Sequence, residues 1–206
     1  MATMNKTIIL WTMLLIGSLS FAQQEAALQR AFSESYASES EGKYANAIQP
    51  LMKLYSEKSY EINLRIGWLY YLQKNYTTSR DHYRKAAGLK PYSVEARLGL
   101  AKPLAALESW DELLRTYEEI LKIDPQQVMA NYWTGVIQYN RKRYEPAARY
   151  FERLVNLYPF DYDANHMLAW TYLQLGRTAE SRLLFQKALL IRPGDVSALS
   201  GLTTLK

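Results

Sequence analysis

Few residues of this chain are equipped for chemistry. Cysteine is absent and there are only two histidines, His82 and His166. That excludes disulfide scaffolds, thiolate metal sites, a cysteine nucleophile, a lipobox-type anchor and most histidine-built triads. Glycine is scarce, at nine residues, which argues against phosphate-cradling loops. Asp161 and Asp163 are spaced for paired carboxylate work, but they flank a helix start, where capping accounts for them. His166 lies one helical turn before Trp170 with no second ligand type beside it, which reads as packing or partner contact rather than metal ligation. Arg141-Lys142-Arg143 falls in a turn, where charge is readily solvated. Asn75-Tyr76-Thr77 fits a glycosylation sequon but carries no further signal. The expectation is no catalytic residue, no metal ligand, no cofactor and no small-molecule substrate.

The elements that hold these residues come from a chain of 206 residues, 49% of them apolar, enough for a sizeable core. Residues 1–22 read MATMNKTIILWTMLLIGSLSFA. Lys6 precedes an apolar run from Ile8 to Leu19, and the small residues Ser20 and Ala22 flank Phe21, the pattern of a cleavable export signal. The alternative is an uncleaved membrane tether. The apolar run spans roughly 20 Å as a helix against about 30 Å of hydrocarbon, short for that role. Loss of Lys6 leaves 24 basic against 20 acidic residues, a charge of +4. Spread over an elongated chain this is no polyanion-binding signature, so no nucleic acid is expected. The expected location is periplasmic or secreted.

An internal period organises the rest. Pro91, Pro125, Pro159 and Pro193 are evenly spaced, and the same step links Tyr83, Tyr117, Phe151 and Phe185. Small residues recur at that interval at Gly67, Ala101, Gly135 and Ala169, and helix-capping types at Ser59, Ser93, Asp161 and Asp195, with Gln127 interrupting the last series. Each column has a physical task. The proline cannot continue a helix. The Ser or Asp oxygen two residues on caps the next helix. The small residue lets two helices approach closely, and the aromatic fills the gap between one helix pair and the next.

This pattern resembles the tetratricopeptide repeat, whose period it shares, and the resemblance covers nearly all of 26–206. It implies an all-α fold, an α-solenoid of helix-turn-helix units in a right-handed superhelix. The units frame as 60–93, 94–127, 128–161 and 162–195, after a degenerate unit at 26–59 and before a capping helix at 196–206, all within an array of 23–206. The unit at 94–127 departs most: Leu113 and Ile120 replace small residues, and Pro103 is expected to kink its first helix.

The resemblance also implies a concave groove lined by the first helix of each unit. Its family columns hold Leu64, Trp68, Tyr71, Lys102, Met129, Tyr132, Tyr139, Asp163, His166 and Trp170 in this chain, among others. Trp and Tyr are what binding hot spots favour. The expected partner-contacting residues are therefore Trp68, Tyr71, Lys102, Tyr132, Tyr139, His166 and Trp170; packing between units is the competing role for the aromatics. The family's carboxylate clamp is not matched, because Leu64 and Trp68 occupy positions where it uses lysine and asparagine, so chaperone C-termini are not expected ligands.

The implied function is a non-enzymatic, exported protein–protein interaction scaffold holding a peptide or protein partner. The alternative is a structural subunit of a cell-envelope membrane assembly (secretion, outer-membrane biogenesis or polysaccharide export) docking through its ends or convex face. N-terminal sequencing of the protein recovered from its expressing cells is expected to begin at Gln23; a chain retaining Lys6 would establish the tethered alternative.

Overall fold

The computed structural model describes residues 23–205, and the expected export segment 1–22 lies outside them. Among the described residues there are eleven helices and no strand. The fold is an all-α solenoid, in two compact units that divide after Pro91.

The N-terminal unit holds α1 (23–40), α2 (Tyr44–Lys53), α3 (Tyr60–Leu72) and α4 (Tyr76–Leu89). Ala31 of α1, Ala47, Ile48 and Leu51 of α2, and Ile62, Ile66 and Leu69 of α3 form its core. α2 has 10 residues where α4 has 14, and it carries Pro50 in its last turn. Arg65 is buried between α1 and α3. It pairs with Glu39, its Nε donates to Ser35 Oγ at 3.1 Å, and its guanidinium lies 3.8 Å from the Tyr36 ring centre.

The C-terminal unit holds α5 (Val94–Ala106), α6 (Trp110–Ile123), α7 (Val128–Asn140), α8 (Tyr144–Leu157), α9 (Tyr162–Gln174), α10 (Thr178–Ile191) and α11 (Val196–Thr204). Each helix packs on its chain neighbours from α5·α6 through α6·α7, and from α7·α8 to α10·α11. α5 runs unbroken through Pro103. The proline falls in the last turn, so the helix forfeits one ladder bond near an end that has few left to make. Leu113 and Ile120 are both buried, so the larger residues of this segment are accommodated in its core.

Turns repeat as closely as helices. Lys74, Glu108, Lys142 and Gly176, each one repeat period from the next, all take left-handed backbone, with φ from 54° to 73°. The amide after each reaches back over the helix end, as Asn75 N–H to Tyr70 O and Arg143 N–H to Gln138 O do at 2.9 Å, the Schellman closure. Three of the four positions accept the conformation without being glycine. Caps recur too, at Ser59, Ser93, Gln127, Asp161 and Asp195. Gln127 does not interrupt this series: its Oε1 accepts from the Ala130 amide at 2.6 Å, the longer side chain reaching the group a serine would reach.

The small–aromatic columns meet within each helix pair. A Cβ on Gly67 would come within 3.0 Å of the Tyr83 ring, and one on Gly135 within 2.7 Å of the Phe151 ring. Phe151 also joins Leu168 and Tyr172 of α9, and Phe185 joins Ala198 of α11, so each ring fills the space inside its pair and toward the next helix. Ser79 and Ser181 donate to the carbonyls of Gly67 and Ala169 at 2.7 and 2.8 Å, fastening the same close approach. Gly135→Ala is expected to destabilise by about 1–2 kcal/mol net, overpacking outweighing the helix-propensity gain. Gly88→Ala, at a helical position with nothing within 4 Å, should stabilise by a few tenths to about 1 kcal/mol. Urea unfolding of the two variants checks the opposite signs.

Candidate functional site

Any surface on this fold is positioned by what anchors the first helix of each pair, and buried asparagines do much of that anchoring. Asn63, Asn131 and Asn165 are fully buried. Each donates its side-chain amide to carbonyls of the preceding turn. Asn131 reaches Pro125 O at 3.0 Å and Gln127 O at 2.9 Å; Asn165 reaches Pro159 O at 3.2 Å and Asp161 O at 2.6 Å. The amide thus satisfies turn carbonyls that would otherwise be costly to bury. In the same column stands Arg97, which donates to Ser93 O at 3.2 Å and pairs with Glu119 at 3.1 Å. One period later, Asn131 Oδ1 accepts from Arg153 at 3.0 Å. Base and partner have exchanged columns: Arg97 faces Glu119 where Asn131 faces Arg153. Sequence reasoning passed over this column, although asparagine fills three of its four positions at the repeat step.

The residues expected at the groove have differing surroundings. In the N-terminal unit Trp68 and Tyr71 stack with ring centres 5.8 Å apart, and the Trp68 indole donates to Glu39 at 2.6 Å. In the C-terminal unit Lys102 is exposed on α5. Tyr139 is half-buried, its ring 5.4 Å from that of Tyr144. His166 and Trp170 lie against α11. The indole donates toward His166 Nε2 and Ser197 Oγ, both at 3.1 Å; Ser197 Oγ is 2.8 Å from His166 Nε2, and the Trp170 ring stands edge-on to Phe185 at 5.1 Å. These two side chains are part of the seam that α11 closes.

Tyr132 lies in a different setting. It lines a cleft of about 580 Å³ between the start of α7, the end of α8 and the start of α9, together with Val128, Met129, Trp133, Leu154, Tyr158, Asp161 and Asp163. Val128, Met129, Trp133 and Tyr158 keep 43–50% of their surface in solvent, a concentration of exposed apolar area that scattered surface hydrophobes do not make. Asp161 caps α9 through the Ala164 amide at 2.8 Å, and Asp163 faces Arg192 at 3.9 Å. Burial, then the charges of Asp163 and Asp161, raise the Tyr132 phenol above its ordinary value. Among the described residues, no three His, Asp or Glu side chains gather as a metal would require, and no helix is long and apolar enough to cross a membrane.

Sequence models of the tetratricopeptide repeat family match residues 60–93, 94–161 and 138–205, which together run from 60 to 205. The chain belongs to the tetratricopeptide repeat family. A search of curated proteins finds no match. Among solved structures this tetratricopeptide repeat protein is similar in fold to one from Parabacteroides merdae, at 17% identity and a TM-score of 0.75, covering 87% of this chain and 72% of that one. It is similar to the MamA protein at 17% identity and a TM-score of 0.71, with 80% and 91% covered. The same identity and TM-score relate it to YrrB, a tetratricopeptide repeat protein with an unusual peptide-binding site, with 84% and 90% covered.

Both histidines of the protein titrate low. Burial first, then Lys85, lowers His82; burial first lowers His166, against the opposing pull of Asp195 and Asp163. Hydrogen bonding agrees at His166. An indole N–H only donates, so Nε2 accepts, and protonation there would set two donors face to face. A folded value below the unfolded one means that stability from the neutral rings is complete above about pH 6.5 and is lost as pH falls through the folded value. NMR titration should place both midpoints below about 6.5, the ordinary imidazole value. The melting temperature should fall between about pH 7.5 and about pH 5, less steeply in His166→Gln.

Proposed function

We propose that this tetratricopeptide repeat protein is a non-enzymatic interaction scaffold, acting outside the cytoplasm after removal of residues 1–22, and that it holds a peptide segment or protein partner on the first-helix side of its C-terminal unit. The observation that carries the reading is the cleft around Met129, Tyr132, Trp133 and Tyr158. It offers exposed aromatic and thioether surface in a concavity of the size that buries several side chains. That YrrB carries a peptide-binding site on the same fold supports the class of ligand. Lys102, Tyr139 and, in the N-terminal unit, Trp68 and Tyr71 are proposed as further contacts. His166 and Trp170 contribute mainly by holding α11 in place.

A second reading has its own observation. Leu183 and Leu190 of α10 are 66% and 73% exposed, and they stand one and two repeat periods after Arg149 and Arg115, and after Asn156 and Lys122. An outer face made apolar in the last repeat suits a subunit that docks into an envelope assembly. Affinity capture from an envelope extract separates the two. Met129→Ala/Trp133→Ala is expected to lose the partner that the parent captures, and Leu183→Glu/Leu190→Glu to keep it, with unchanged melting in both. The reverse pattern would establish docking through the outer face.

A further inference from the structure

The repeat supplies internal controls for the cleft, because every lining position has counterparts in the other units. Met129 stands where they carry Glu61, Glu95 and Asp163; Tyr158 stands where they carry Lys90, Asp124 and Arg192. Trp133 shares its column with Arg65, Gly99 and Met167. Two columns that are charged in the other three full units, 60–93, 94–127 and 162–195, have therefore become apolar or aromatic here, and a third has gained the largest apolar side chain. Each of the three residues is 43–50% exposed, so none of the changes is explained by core packing.

The polar complement of the cleft has one sign. α7 carries no charged residue from Val128 to Asn140. Arg153, from α8, is turned to Pro125 O and Asn131 Oδ1 at 3.3 and 3.0 Å. Asp161 and Asp163 supply two carboxylates at the rim. The one cation that faces them among the described residues is Arg192, 3.9 Å from Asp163, and its guanidinium sits 3.7 Å from the Tyr162 ring centre. Arg192 therefore keeps a favourable aromatic contact if another cation takes its place beside Asp163.

Building on the scaffold reading above, we infer that this cleft takes an extended peptide segment in which a lysine or arginine adjoins an aliphatic or aromatic anchor. The base sits against Asp161 and Asp163 and the anchor on Met129, Trp133 and Tyr158. An acidic segment would meet two carboxylates and, among the described residues, a single base facing them, Arg192, already beside Asp163; like charges brought together at an interface suppress the wrong partner.

The test is selection from a phage-displayed random peptide library on the purified full chain, followed by fluorescence anisotropy of the selected peptides, synthesised with a dye label. Enriched sequences should pair Lys or Arg with Leu, Phe, Trp or Met. Met129→Ala, which removes the thioether seat of the anchor without adding charge, should weaken them about tenfold or more. Asp163→Asn should weaken them by about three- to tenfold, and added salt should weaken the parent complex. Asp161 is left in place because it caps α9. Trp133→Ala replaces Met129→Ala should the latter melt earlier than the parent. Enriched peptides that lack a base, or whose affinity Asp163→Asn leaves unchanged, overturn the charge preference while the cleft reading stands, provided Met129→Ala still weakens binding. Peptides that bind Met129→Ala as well as the parent, or a library that yields none, overturn both.

Discussion

The contact on which the helix pairs depend is the aromatic ring lying on a residue that has almost no side chain. A Cβ would fall 2.7 Å from the Phe151 ring at Gly135 and 3.0 Å from the Tyr83 ring at Gly67, so backbone and ring meet in close contact. That approach brings Ser79 within reach of the Gly67 carbonyl, as it does Ser181 and Ala169. It also fixes how far apart the two helices stand, and hence which residues of the first helix remain open to solvent. Phe151 and Phe185 extend the effect by filling space toward α9 and α11 as well, so the same ring that closes one pair seats the next element.

Around this contact the turns are held by polar groups that a hydrophobic pattern does not reveal. Buried asparagines answer the carbonyls of the preceding turn, left-handed residues close the first helix, and a side-chain oxygen caps the next. The segment 94–127 keeps the architecture while changing the chemistry. Arg97 and Glu119 trade the roles of Asn131 and Arg153, and a charge-assisted pair replaces an amide–guanidinium contact. Because each repeat touches only its neighbours, such local exchanges need no compensation elsewhere.

The candidate site arises where the repeat departs from itself. Columns that must pack are occupied by much the same residue types throughout, whereas columns facing solvent are free to drift and are normally charged or polar. Met129, Trp133 and Tyr158 are departures of the second kind, and the fold gathers them within one cleft beside Asp161 and Asp163. Met129 and Trp133 are one helical turn apart, but nothing along the chain hints that Tyr158 joins them. The return path of α8 brings about that meeting.

The repeat period, carried by Pro91, Tyr83, Gly67 and their successors, determined the fold class from the chain alone, because proline, a buried ring and a missing side chain each have few roles in a helical hairpin. Other columns, read as the family's groove positions, placed Tyr132 and Met129 on an expected contact surface. What the period did not carry was which aromatics are spent on packing. Trp68 and Trp170 occupy one column, yet Trp68 gives its indole N–H to Glu39, whereas Trp170 shares its own with His166 and Ser197 under α11. Nor did it show that Gln127 caps a helix or that Asn131 anchors a turn. These are decided by tertiary structure, because hydrogen bonding and exposure depend on which neighbour arrives across space, and a repeat pattern specifies the place of a residue but not the partner that reaches it.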